Sequence, residues 1–328
     1  MWPSDFETRA KALAKTGLYS PRDEHDACGV GLIAAIDGVP RRAIVEKAIE
    51  GLRNMWHRGA VDADGKTGDG AGIHLQLPHA FFADYMARIG KQSDAHLAVG
   101  MVFLPKKNFA AQERCRAIIE TEIQRLGYAI HGWRQVPVVA EVIGDIAAES
   151  RPEIEQVIIK CHPDFDAART ERDLYLIRRR IEKAVRASAI SDFYICSLSA
   201  RSIIYKGLFK AEQLTAFYPD LNDERFISNF ALFHQRFSTN TAPAWHLAQP
   251  FRVLAHNGEI NTLRGNANFM RSHEANFTCD AFKGVEEDLV PVIPDHTSDT
   301  GALDAVMEIL TRAGRALPLA KLILIPPA

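Results

Sequence analysis

The chain has 328 residues, 47% of them hydrophobic and 24% charged, with a formal net charge of -2. This is ordinary globular composition for one large domain or two smaller ones, and near-neutrality gives no electrostatic case for nucleic acid or an acidic membrane surface. Five scattered cysteines (Cys28, Cys115, Cys161, Cys196, Cys279), odd in number and without a C-x-x-C pair, argue against a disulfide framework, a zinc site or an iron–sulfur site, and fit a reducing compartment.

The segment Met1 to Lys15 has no apolar stretch of the secretory kind, and no apolar run approaches the roughly 18 to 20 residues of a membrane span. A cytoplasmic protein is expected. Residues 1–27 read as a short helix and a linker: Ser4 and Glu7 give a capping-box pattern, Phe6, Ala10, Leu13 and Ala14 one apolar face, and Gly17 an end. The acidic run from Asp23 leads into Cys28-Gly29-Val30-Gly31, and Val30 to Ile36 reads as a buried strand. A lone cysteine before glycine is more often a small buried hydrophobe than a nucleophile, so Cys28 alone decides nothing.

Pro40 opens a helix with a predicted core face of Ile44, Val45, Ala48, Ile49, Leu52 and Trp56. Next come Trp56-His57-Arg58-Gly59 and the glycine-rich loop Thr67-Gly68-Asp69-Gly70-Ala71-Gly72, which lacks both a Walker ending and dinucleotide-fingerprint spacing. An alternating strand follows, with Ile73, Leu75 and Leu77. Periodicity predicts helices over about 79–89, 108–126 and 168–188, and strands over about 97–104, 136–143, 156–161, 193–198 and 202–206. Arg178, Arg179 and Arg180 read as a solvated helix face. The last third holds a strand from Phe230 running into Phe233-His234-Gln235-Arg236-Phe237-Ser238-Thr239-Asn240. A second strand, Phe251 to Ala255, runs into His256-Asn257-Gly258-Glu259-Ile260-Asn261. Helices follow from about Thr262 to Asn276 and over about 301–313, the latter after Ser298-Asp299.

These residues suit hydrolysis of the side-chain amide of an amino acid. A thiolate needs a base near neutral pKa, and a free α-amine at roughly 7.7–8 serves. The oxyanion needs two donors, which the Asn257 side chain and the Gly258 backbone offer. An α-carboxylate calls for an arginine fork and an α-ammonium for a carboxylate such as Asp299. Each residue also has a plain structural reading: Arg58 a surface charge, Arg236 a strand-edge charge, Asn257-Gly258 a turn, Asp299 a helix cap.

Taken in order, the motifs at Cys28, Arg58, Thr67–Gly72, Phe233–Asn240, His256–Asn261 and Ser298-Asp299 resemble the class II glutamine amidotransferase domain of the glutamate synthase large subunit, from Asp23 onward. The resemblance implies an α+β fold, a four-layer αββα sandwich of the N-terminal-nucleophile hydrolase type with Cys28 leading a central strand. It implies residues 1–27 as a propeptide-like arm, and 28–328 as the amidotransferase domain with its C-terminal part missing. Cys28 would be the nucleophile, Asn257 and Gly258 the oxyanion hole, Arg236 and Asp299 the binders of the glutamine α-carboxylate and α-ammonium, and Arg58 a support for the region around Cys28. No metal and no cofactor are expected in this chain. FMN, an iron–sulfur cluster and a reduced electron donor belong to the parent enzyme. The partners implied are L-glutamine, a synthase domain or subunit and its electron-donating small subunit or ferredoxin, with neither nucleic acid nor membrane.

In this family the chain continues beyond the length seen here, and the expectation is an exposed sheet edge with the apolar stretch Leu319 to Ile325 uncovered. Two readings remain: a glutaminase domain, or a catalytically silent module that packs against synthase partners. Another class II amidotransferase, such as the purine-pathway phosphoribosyl type, fits Phe233 to Thr239 less well.

Overall fold

Two four-stranded antiparallel sheets carry the chain in the computed structural model, which describes residues 29–91, 96–237, 241–258, 260–295 and 297–325 together with Thr8, Lys11, Ala12 and residues 14–16. In order these are β1 (Val30–Ala34), α1 (Arg42–Asn54), β2 (Ala71–Gln76), α2 (His79–Arg88), β3 (Leu97–Leu104), α3 (Phe109–Arg125), β4 (Ala129–Gln135), α4 (Asp145–Glu149), β5 (Glu153–Lys160), α5 (Ala167–Ala187), β6 (Tyr194–Ser199) and β7 (Ser202–Gly207). Then come α6 (Leu214–Phe217), β8 (Phe230–Gln235), α7 (Leu263–Glu274), α8 (Asp299–Arg312) and α9 (Leu317–Leu324). The first sheet has the order β1-β8-β2-β7 and the second β4-β5-β3-β6. The tight β6–β7 turn passes the chain from one to the other.

Four layers result. Helix α1 lays Ile44, Val45, Ala48 and Leu52 into the same core as Ile73 and Leu75 of β2. The sheets share that core through Val99, Met101 and Phe103 of β3 and Ile203, Ile204 and Tyr205 of β7. The other face of β3 (Ala98, Val102, Leu104) is covered by Ile119 and Ile123 of α3 and Leu174, Ile177 and Ile181 of α5. Alternate residues of one strand thus serve two cores, as a doubly covered sheet requires. Gly31 and Gly51 leave room for the Phe233 ring between β1 and α1; a Cβ on Gly51 would stand 2.9 Å from its Cζ.

Several expectations need correction. β1 lies at one end of its sheet among the described residues, not in the centre, and Leu32 is 65% exposed. Apolarity marked the strand but could not tell an edge from an interior. Trp56 lies past the end of α1 in a one-turn 3-10 helix and is exposed. Residues 136–143 form no strand: β4 lies at 129–135, and Val136 to Val139 run past Pro137, which has no N–H to give a ladder. Phe251 to Ala255 is loop. Arg178 and Arg179 are buried, because α5 packs on the second sheet with one face and under α8 and residues 282–292 with the other. Arg178 pairs with Glu182 and Glu308, Arg179 with Glu182, and Arg180 with Asp288. The exposed apolar tail was expected and is present: Leu317, Leu319, Leu322 and Ile323 of α9 all stand in solvent.

Candidate active site

The antiparallel pairing of β8 with both β1 and β2 brings the end of β8, the start of β1 and the loop before β2 to one edge of the first sheet. Val30 pairs with His234 and Ala71 with Gln235. The Gln235 N–H donates to the Gly29 carbonyl at 2.7 Å. Cys28 itself lies outside the described residues, as do Ser238, Thr239, Asn240 and Glu259. Its neighbour Gly29 is tightly boxed. A Cβ there would stand 2.7 Å from the Gln235 carbonyl oxygen and 3.2 Å from Asn257 Oδ1. Only glycine fits, and the Asn257 side chain therefore reaches the residue that follows Cys28.

Arg236 leaves β8 with a φ of +146°, a strained value for a residue with a Cβ. Its carbonyl accepts from the Gln249 N–H at 3.4 Å, and its Nε donates to Asp69 Oδ2 at 3.2 Å. The Asp69 carboxylate is 5% exposed and the Arg236 side chain 45%. Burial pushes the Asp69 pKa up, while the Ala60 backbone contact and the Arg236 charge pull it back.

A chain of hydrogen bonds links the loop 249–260 to the start of α8. Gln249 clasps His256 through both its N–H and its C=O, at 3.1 Å each. The Gly258 N–H donates to His256 Nδ1 at 3.1 Å, so the ring carries its proton on Nε2 and donates to Thr300 Oγ1 at 3.0 Å. The Thr300 hydroxyl in turn donates to Asp299 Oδ1 at 3.3 Å. Asp299, 1% exposed, also accepts from the Ile260 N–H at 3.0 Å, and Ser298 caps the helix through the Gly301 N–H. His234 sits between the carbonyls of Arg236 and His256, at 3.2 and 3.1 Å. Burial dominates there and holds its pKa down near 4, against the raising effect of the two carbonyls.

Of the expected residues, Arg236, Asn257, Gly258 and Asp299 gather at one end of the first sheet. Arg58 ends the one-turn helix Trp56–Arg58 and is exposed; Gly59 beside it touches the Gln235 side chain. Asp69, Gln249, His256 and Thr300 belong to this cluster and were not singled out. For Asp69 and His256 the signal was their place inside the quoted motifs. Nothing in the sequence marked Gln249 or Thr300. Among the described residues no three His, Cys, Asp or Glu side chains converge to hold a metal. Cys115, Cys161 and Cys196 are buried free thiols set among apolar side chains, and burial pushes them up, to about 11, 12 and 12. Among the described residues no helix is long and apolar enough to cross a membrane.

The helix–sheet–sheet–helix fold, with polar side chains gathered where a strand begins just after a cysteine, is that of the N-terminal-nucleophile amidohydrolases. Within that class the chain belongs to the family described as glutamine amidotransferases class-II, which it matches over residues 28–328. It is 60% identical over 326 residues to the glutamate synthase [NADPH] large chain of Azospirillum brasilense, covering 99% of this chain and 22% of that protein. It is 42% identical over 308 residues to the chloroplastic ferredoxin-dependent glutamate synthase of Spinacia oleracea, covering 93% and 19%. It is 42% identical over 311 residues to the glutamate synthase [NADPH] large chain of Bacillus subtilis (strain 168), covering 94% and 20%. The chain thus spans about a fifth of the length of these relatives.

Proposed function

We propose that this domain hydrolyses L-glutamine to L-glutamate and ammonia through a thioester on Cys28, once residues 1–27 are removed. The freed α-amine takes the thiol proton, and sulfur attacks the side-chain amide carbon. The Asn257 side chain and the Gly258 N–H hold the resulting oxyanion. The amine passes its proton to the leaving nitrogen and ammonia departs. Water then attacks the thioester, giving up a proton to the amine, and glutamate leaves with the thiol restored. Arg236 takes the α-carboxylate, Asp299 the α-ammonium, and Arg58 supports the region around Cys28. The observation that carries this reading is the convergence on Gly29, one residue past Cys28, of the Asn257 side chain and the β8 exit that bears Arg236. The arm reading is supported by the family match, which starts at residue 28.

We further infer that the ammonia serves reductive amination of 2-oxoglutarate in a synthase region, in a cytoplasmic setting. NADPH and ferredoxin stand in the relatives' own names. The FMN, iron–sulfur cluster and electron-donating subunit or ferredoxin lie with that region.

A silent packing module is the second reading, favoured by the Gly258 N–H being engaged with His256 and by the apolar exposure at β1 and α9. Intact-mass measurement separates the two. Loss of residues 1–27 and covalent labelling of Cys28 by a glutamine-analogue electrophile are expected. A folded but unprocessed and unlabelled chain overturns the enzyme reading.

A further inference from the structure

Asp69 takes no part in the steps above, yet it is a buried carboxylate at the site. The loop that holds it is pressed against the exit of β8. Gly70 has a φ of +135°, and a Cβ there would stand 3.1 Å from the Phe237 nitrogen and 3.2 Å from the Arg236 carbonyl carbon. A Cβ on Gly68 would collide with the Phe209–Lys210 backbone. The Asp69 N–H is tied to the Ala60 carbonyl at 3.1 Å. The carboxylate is therefore fixed from behind while the arginine it meets is half exposed.

We infer that Asp69 is the positioning residue for Arg236 and, through it, the selector for an α-carboxylate on the substrate; this rests on the role given to Arg236 above. Asp69 contacts Arg236 at Nε, and among the described residues no hydrogen bond engages the end-on pair of Nη groups, the pair that can receive a second carboxylate in bidentate fashion. A guanidinium without that anchor swings about a long flexible stem and presents no fixed fork. The left-handed backbone at Arg236, held through its carbonyl by the Gln249 N–H, sets where the stem starts; Asp69 sets where it points. Among the described residues the second oxygen, Oδ1, has no hydrogen-bond partner, and the opposite charge beside this buried group is that of Arg236.

Calorimetric titration of the full chain with L-glutamate, the product, and with 4-aminobutanoate, the same molecule without its α-carboxylate, tests the inference. Asp69→Asn is expected to weaken L-glutamate binding about tenfold and to leave 4-aminobutanoate unchanged. Arg236→Ala should weaken L-glutamate at least as much, and adding Asp69→Asn to it should cost nothing more. If wild-type protein does not bind L-glutamate, or Arg236→Ala binds it normally, the assignment of Arg236 itself falls. If Arg236→Ala loses affinity and Asp69→Asn does not, or if Asp69→Asn weakens both ligands alike, only the positioning role falls. Nitrogen-15 resonances of Arg236 in the unaltered protein give a reading free of folding effects. On adding L-glutamate the Nη signals should move and the Nε–H signal should stay. Movement of Nε–H with them means the bond to Asp69 breaks, and overturns the inference.

Discussion

The backbone N–H of Gly258 donates to Nδ1 of His256, two residues earlier, at 3.1 Å. The group proposed to steady the oxyanion is thus occupied by a neighbouring ring, and that ring is linked through Thr300 to Asp299, the proposed α-ammonium site.

Removing the competing acceptor frees the donor. His256→Ala is expected to raise kcat for glutamine hydrolysis severalfold at saturating glutamine. The KM should rise as well, because Thr300 and through it Asp299 lose a partner. Steady-state kinetics at saturation checks this, and an unchanged or lower kcat means the Gly258 N–H turns toward substrate unhindered.

Asp299→Asn keeps the shape of the side chain and an acceptor oxygen for the Ile260 N–H, removes the charge, and puts an N–H2 where Oδ1 accepts from the Thr300 N–H and hydroxyl. Its effect should fall on KM, raised about tenfold to a hundredfold, with kcat little changed. An unaltered KM in glutamine titrations removes Asp299 from the α-ammonium site.

Acid should weaken the fold. His74 and His234 are both held near pKa 4 by burial, against 6.5 for an exposed histidine. The unfolded chain therefore takes up protons first, and the stability these residues contribute at neutral pH drains away between about pH 6.5 and 4. By pH 5 the loss is about 2 kcal/mol for each. Asp304 works in the opposite direction: burial and its neighbour Glu308 raise its pKa, so protonation favours the folded state and offsets part of the loss. Denaturant midpoints at pH 7.5 and pH 5 should differ accordingly. His74→Leu, replacing a ring whose Nε2 has no partner among the described residues, should shrink the difference.

The two Nη groups of Arg134 meet the two carboxylate oxygens of Asp220 at 2.7 Å each, and the Tyr205 hydroxyl donates to the same carboxylate at 2.9 Å. All three are buried. Asp220→Ala leaves the guanidinium uncompensated and should cost about 3–5 kcal/mol of unfolding free energy. Chemical denaturation measures it, and a loss below 1 kcal/mol, within about the range of an exposed pair, contradicts the buried-pair reading.

Much of this architecture was legible because amphipathic helices announce their period. Expected and observed limits of α2, α3 and α5 agree to within a residue or two, since each has a full apolar stripe to bury. The failures have separate causes. Val136, Val138 and Val139 looked like a strand because β-branched residues do, but β4 is built from Ala129 to Gln135, with a register shift between Ile130 and Gly132. Arg178 looked solvated because its partner Glu308 stands 130 residues away in sequence, and Arg179 because the Leu289 and Pro291 carbonyls it donates to stand 110 and 112 residues away. Sequence separation likewise hid the Asp69–Arg236 pair, 167 residues apart. Motif order located Arg236, Asn257, Gly258 and Asp299; it could not say that the Gly258 donor is engaged by His256, which is a matter of one backbone rotation.

The position of β1 sets a pattern of solvent access along the segment that follows Cys28. Gly29 and Ala35 bond to the backbone of Gln235 and Asn229, so in an antiparallel ladder the amides of Gly31 and Ile33 turn toward β8 as well. The amides of Val30, Leu32 and Ala34 face outward, where the described residues supply no strand. Deuterium uptake should therefore alternate residue by residue, fast at 30, 32 and 34 and slow at 31 and 33. A partner that lays a strand along this rim would silence the fast set without touching the slow one, giving a site-resolved meter for whatever docks there.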